Sequence, residues 1–501
     1  MNDDLKKLYR RLGYTGPLPG DDSPESFAVS GAGDTALGAA PALVEDPAEK
    51  PPLDAAGLER LERELKDHPR RTLAQVRQMW DKDMTMPRLR AIIGDARRAL
   101  EETSEVLREI GPEPETLSFA ATSLPPDFNF PGMEDPQIII DPDDHKFEND
   151  DLAGILAWAI FAGPFVGTVP DKKNFRFHDP QDSSSFVYDL IEPSPDEPLK
   201  IALFSDFGVG RYYSDHIAKQ FHRDRFPYVI HLGDVYYAGR ASEFRDNFEK
   251  QINPILSFSR FFALNSNHEM YSGGIPYFKY IDTRAERHPS IQQQKGSYFC
   301  LRSNQFQIIG IDTAFFDHGR YKEKKLQDWL AMVLRKGRET HRVNILLSAD
   351  HPYEYGDKDL TKLMSKDLKH LVVDEKLVDL WFWGNTHYCA LFNHNLTAGN
   401  GFQVAPFVGS CIGHAGYPYD TMKPKPDDDL PAPLLFLETQ SRFPGTNIRT
   451  DKGNNGYCVL QLNADGSIGL KYIDWMSNLR FAATLTRGQA GEPLHVTPVS
   501  V

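Results

Sequence analysis

From Leu199 onward the chain runs in short apolar stretches that each end in a polar cluster: KIALFSDFG, YVIHLGDVYYAG, FFALNSNHEM, FQIIGIDTAFF, VNILLSADHP and LWFWGNTHY. Such runs predict strands buried on both faces, whose C-terminal ends deliver the polar residues. Segments between them, such as 214–223 and 323–335, have helical texture, and the alternation predicts a layered α/β domain. Two further segments, 296–313 and 456–474, read as hairpins, the second turning at Ala464-Asp465-Gly466. The α/β domain is expected over 191–480, with 481–501 a C-terminal tail.

The N-terminal part is organised differently. Residues 1–57 contain a Gly-, Ala-, Pro- and Asp-rich stretch without hydrophobic period and are expected to form a flexible segment. Over 58–111, Leu58, Leu61 and Leu65, then Leu73, Val76 and Trp80, then Leu89, Ile92, Ile93, Ala96, Leu100, Leu107 and Ile110 recur at helical spacing. They predict three amphipathic helices, broken at Pro69 and Pro87 and stopped at Gly111-Pro112. Residues 112–190 are read as a linker and packing segment. Within it, DPDDHKFENDD at 141–151 lacks the glycine of a calcium loop and reads as solvated acidic chain. The charge-free stretch 152–169 approaches the length of a membrane span but is interrupted by Gly163, Pro164 and Gly167, which predicts a buried helix and a turn.

Composition fits a soluble globular protein, with 40% hydrophobic and 25% charged residues. Fifty-six Lys and Arg stand against 71 Asp and Glu, for a formal charge of -15, and no long basic run occurs; this disfavours long nucleic acids as partners. The cysteines, Cys300, Cys389, Cys411 and Cys458, form no CxxC pair, and the first residues carry no apolar core of a secretory signal. A cytoplasmic protein that does not engage a membrane is expected, with its oligomeric state open.

Five of the apolar runs stop at a residue type that binds hard or borderline cations: Asp206, Asp234, Asn267, His351 and His387. One such stop is ordinarily a turn former, a helix cap or a structural histidine. Five in succession ask for a chemical cause. In-line attack on a phosphoester is served by two cations about 3.5 to 4 Å apart, which generate hydroxide and stabilise the charge on phosphorus. A shared carboxylate, imidazoles and an amide oxygen bind such ions without repelling an anionic substrate.

The order SDFG, GDVYY, NSNHE, SADHP and GNTH, spanning roughly 199–474, resembles the calcineurin-like metallophosphoesterases. It is most similar to their purple acid phosphatase branch, because Phe207-Gly208 follow Asp206 and Tyr237 stands three residues after Asp234. The resemblance implies a two-sheet αββα sandwich, preceded here by the small helical region. It implies Asp206, Asp234, Tyr237 and His387 around a first metal and Asp234, Asn267 and His351 around a second, with Asp234 as the bridge. His268 would bind phosphate or protonate the leaving group, with Glu269 orienting it. A tyrosinate at the first position favours ferric iron, although either tyrosine of the Tyr236-Tyr237 pair has packing as its ordinary role.

Where the family usually shows Gly-His-x-His, this chain has Gly384-Asn385-Thr386-His387, so Asn385 stands in place of a second-metal histidine. Its carbonyl oxygen is a weaker and harder donor than imidazole, which leans the second position towards Mn or Mg over Zn, with Fe, Mn, Mg and Zn all open as cofactors. The arginine that often follows is absent from HYCALFNHN, and Arg211, His394 and His414 are left open between pocket and structural roles. The expected function is hydrolysis of a small phosphomonoester or phosphodiester by a metal-bound hydroxide at a dinuclear site. A decayed scaffold working through its helical region is the alternative. Asn385 speaks for it; Asp206, Asp234, Asn267, His268, His351 and His387 speak against it. A nuclease on the same fold would need a basic track that the sequence does not show.

Overall fold

The computed structural model describes residues 178–499, with short breaks of which the longest is 395–405, and isolated positions before them. The chain divides into two units, one of residues 1–163 and 441–451, the other of 164–440 and 452–501. In the first unit Gln137–Ile138 pairs in parallel with Ile448–Arg449, and Arg63, Lys66, Met86, Pro87 and Arg90 are helical. The expected N-terminal flexible segment, most of the three helices, the acidic stretch 141–151 and the apolar stretch 152–169 lie outside the described residues. Among the described residues no helix is long and apolar enough to cross a membrane.

The strands of the second unit are, in chain order, β1 (Val187–Asp189), β2 (Leu199–Phe204), β3 (Tyr228–His231), β4 (Arg260–Ala263), β5 (Phe299–Arg302), β6 (Phe306–Ile311), β7 (Val343–Ser348) and β8 (Leu380–Trp383). They continue with β9 (Cys389–Phe392), β10 (Val408–Ile412), β11 (Leu434–Leu437), β12 (Gly456–Leu462), β13 (Ile468–Asp474), β14 (Leu479–Arg487) and β15 (Leu494–Val499). One sheet has seven strands in the order β15-β14-β13-β12-β2-β3-β4, the other eight in the order β11-β9-β10-β8-β7-β6-β5-β1. Their facing sides share one core, in which Ile201, Leu203, Ile230 and Phe262 of the first sheet join Ile308, Ile345, Leu347 and Phe382 of the second. Helices cover the outer sides. Phe221 of α1 (Tyr212–Asp224) packs on Phe204 at 5.0 Å between ring centroids, and Trp329, Leu330 and Val333 of α3 (Lys324–Glu339) join Leu346, Trp381 and Trp383 in a second cluster. The helix α2 (Ile275–Arg287) follows β4. The unit is the expected two-sheet α/β metallophosphoesterase sandwich.

The burial patterns explain why some strands are plainer in the sequence than others. β3 and β7 lie in parallel ladders, are buried at every position and are mostly apolar, broken at Asn344 and closed by His231 and Ser348. β13 belongs to the antiparallel arm and alternates buried with partly exposed residues. Both expected hairpins form, as β5-β6 and β12-β13.

Residues 481–501, expected as a tail, are instead mostly sheet: β14 pairs with β13 and β15 with β14. Ala483, Leu485, Leu494 and Val496 join the core, with Ala482 also buried and Thr486, His495 and Thr497 exposed, a signal carried by few and partly small residues. The domain also begins earlier than 191, since β1 pairs with β5 and Tyr188 enters the core.

Candidate metal centre

The parallel strands β2, β3 and β4 end side by side, as do β6, β7 and β8, and the polar residues collect beyond their C-terminal ends. Asp206, Asp234 and His387 form a cluster whose donor atoms all lie within 4.8 Å of one another. Both carboxylates are fully buried. His387 Nε2 stands 3.2 Å from Asp206 Oδ1.

Asp206, Asp234, Asn385 and His387 all have left-handed backbones, with φ of 59°, 76°, 64° and 51°. For residues other than glycine this costs roughly 1–2 kcal/mol each, somewhat less for Asp and Asn. Four such residues beside one another mark a place where the fold sustains strain to aim side chains. Room is made by Gly384, where a Cβ would collide with Ser205 Oγ and stand 2.9 Å from Asp206 Oδ2.

Tyr236 lies in the cluster, and Tyr237, expected as a ligand, lies outside the described residues. Tyr236 donates its hydroxyl hydrogen to Asp206 Oδ1 at 2.6 Å, and the same oxygen lies 3.0 Å from His387 Nε2 and 3.3 Å from Asp234 Oδ2. The reason is local. Val235 bridges Gly208 in the parallel direction, and the Tyr236 N–H donates to Gly208 O at 2.8 Å, which leads the chain past Asp206 and brings the Tyr236 hydroxyl to it.

Asn267 opens a one-turn helix, Asn267–Met270. Ser266 Oγ bonds Asp234 Oδ1 and also lies 2.8 Å from Asn267 Oδ1, which joins the amide to the cluster. His268 packs against Tyr236, with ring centroids 4.3 Å apart. Glu269, expected behind His268, accepts the backbone N–H groups of Asp234, Val235 and Ser266 at 3.2, 3.0 and 3.0 Å, and so gathers two strand ends. Asn385 donates its backbone N–H to Asp206 Oδ2 at 2.9 Å and its side-chain amide to Asp350 Oδ1 at 3.2 Å. His351 lies on the turn after β7, where its carbonyl accepts Thr361 Oγ1 at 2.9 Å, and it is not one of the clustered donors.

Tyr417 was not anticipated. It stacks on His387 at 3.7 Å between centroids, and its backbone N–H donates to Asp206 O at 2.7 Å. An isolated aromatic in GYPY gives no sequence signal for this. His414 is fully buried near Asp206 and Glu438, and burial pushes its imidazole down to about 4. His394 feels His495 on β15, and Arg211 stands at the start of α1.

Electrostatics show what the cluster lacks. Burial pushes Asp234 well above the usual carboxylate range, and the charges of Asp206 and Glu269 add to the shift. Burial acts on Asp206 in the same direction but is outweighed by His387, Tyr236 and the Asn385 amide, which hold it low. Burial also pushes Glu269 up to about 8 and raises the Tyr236 phenol, with Asp206 and Asp234 adding. Among the described residues neither aspartate is paired with Lys or Arg. A divalent cation would relieve this repulsion. The spacing fits one: neighbouring donors around a six-coordinate ion at about 2.1 Å stand about 3 Å apart, and the distances among Tyr236, Asp206 and His387 are 2.6, 3.0 and 3.2 Å.

Residues 199–389, which include all of these donors, match the family model described as calcineurin-like phosphoesterase. No curated protein matches the chain. Among solved structures it is similar to a purple acid phosphatase from yellow lupin (Lupinus luteus), at 17% identity and TM-score 0.41, covering 60% of this chain and 56% of that one. It is also similar to the anchor protein of the inner membrane complex of Plasmodium, at 15% identity and TM-score 0.43, covering 59% and 90% of the respective chains. A dimetal phosphatase from Danio rerio matches at 12% identity and TM-score 0.33, covering 58% and 100%.

Proposed function

We propose that this protein is a metal-dependent phosphoesterase acting on a small phosphomonoester or phosphodiester at a pair of cations. The observation that carries the reading is the group of Asp206, Asp234 and Tyr236, all buried, with the half-buried His387, whose donor spacing suits a cation. Tyr236 puts a tyrosine among the donors, which agrees with the purple acid phosphatase branch. Asp234 turns one oxygen to Tyr236 and the other to Ser266, beside Asn267. It is therefore placed to be shared between a first ion and a second held with Asn267.

The cations would supply a nucleophile at neutral pH and stabilise charge on phosphorus. The chain's own residues do the remainder. His268, 8% exposed at the rim of the cluster and packed on Tyr236, is positioned to bind a phosphate oxygen or pass a proton to the departing alkoxide. Glu269 ties the amides after β3 to the residue before Asn267, and Tyr417 holds the plane of the His387 ring.

The test is metal content and visible absorption of the purified protein, followed by turnover of p-nitrophenyl phosphate and bis-p-nitrophenyl phosphate with added Mn, Mg or Fe. Two bound ions with turnover are expected, with a violet tyrosinate band if the first is ferric. Absence of both binding and turnover with every ion would overturn the reading in favour of a scaffold.

A further inference from the structure

The turn after β7 carries a carboxylate outside the series of strand-end residues, Asp350, one position before His351. It is only 4% exposed. Its Oδ2 accepts Thr313 Oγ1 at 2.6 Å and its Oδ1 accepts Asn385 Nδ2 at 3.2 Å. Its backbone is held as well, because Ser348 Oγ donates to Asp350 O at 2.6 Å while accepting Trp381 Nε1 at 2.8 Å.

A Cβ on Gly233 would stand 2.7 Å from Ser266 Cβ and 3.4 Å from Ala349 Cβ, so three strand ends meet at this glycine. The residues that follow directly on Gly233, Ser266 and Ala349 are Asp234, Asn267 and Asp350. Asn385 spans the two halves, with its backbone on Asp206 and its side chain on Asp350. Its amide therefore spends its donor on the carboxylate, which is how a ligand is oriented from behind.

We propose that Asp350 is a ligand of the second cation, with Asn385 as its positioning residue, so that Asp234, Asn267 and Asp350 offer that ion an oxygen donor set. A carboxylate where the family pattern puts imidazole nearby adds a negative charge and hard character. The second position then selects Mn or Mg over Zn by donor chemistry. The proposal rests on the two-cation reading above and deepens it.

The experiment uses the full-length protein, stripped with chelator and titrated with Mn alone, followed by calorimetry and by the spin-coupled signal of a Mn pair. Wild type is expected to bind two ions and Asp350→Ala one. Asn385→Leu should keep both positions but weaken the second by about 10–100-fold. Asp350→His, which retains a ligand, should move the Zn-to-Mn preference of the second position towards Zn by at least about tenfold, and it carries the test if Asp350→Ala does not fold. Two ions at wild-type affinity in Asp350→Ala, or an unchanged Zn-to-Mn preference in Asp350→His, would overturn the assignment of Asp350. Fewer than two ions in wild type would overturn the two-cation reading itself, and this proposal with it.

Discussion

Replacing Tyr236 by Phe removes one oxygen and tests which tyrosine serves the centre. That oxygen is buried and lies 2.6 Å from Asp206 Oδ1, 3.0 Å from His387 Nε2 and 3.3 Å from Asp234 Oδ2. A hydrogen bond to a charged group contributes about 1.5–3 kcal/mol, and Asp206 keeps its bond from the Asn385 amide. In chelated protein the unfolding free energy should therefore fall by about 1.5–3 kcal/mol, read by urea titration. If the oxygen contributes as much to a bound cation, the first-ion affinity falls roughly 10- to 200-fold, since each 1.4 kcal/mol is a factor of ten. Calorimetric titration of Tyr236→Phe and Tyr237→Phe side by side is the assay. First-ion binding that survives in Tyr236→Phe at wild-type affinity, and is lost in Tyr237→Phe, would refute the placement of Tyr236.

Asp234→Asn should abolish hydrolysis of p-nitrophenyl phosphate, because the shared carboxylate loses its charge; normal turnover would remove the two-cation mechanism. Gly384→Ala should cost about 1–3 kcal/mol of stability by overpacking, with weakened metal uptake, because the new methyl group meets Ser205 and Asp206; an unchanged melting temperature would mean that the turn relaxes. Asp312, pushed up to about 6 by burial from an ordinary 3.8, keeps in the folded state a proton that the unfolded chain has lost. Stability should thus fall by about 3 kcal/mol as pH rises from about 4 to 6. Urea unfolding of chelated Asp312→Asn should lack that component, and equal slopes in variant and wild type would contradict it.

What the sequence determined by itself was the parallel half of the fold and the strand ends that bear the chemistry. Strands buried on both faces, such as β3 and β7, are apolar at most positions, so their ends are visible just before Asp234 and Asp350-His351. The antiparallel margin was hidden because β14 and β15 bury few residues, among them the small Ala482 and Ala483. Side-chain direction was likewise out of reach. That Tyr236 reaches Asp206 and His387 depends on the path of the chain after β3, bridged to Gly208 at Val235, and that Glu269 gathers the strand ends depends on amides brought from two strands. The pairing of Asn385 with Asp350 joins residues 35 positions apart. Residue type shows which atoms are able to bind a cation; only the backbone path, held in left-handed conformations at Asp206, Asp234, Asn385 and His387, decides which of them face one another.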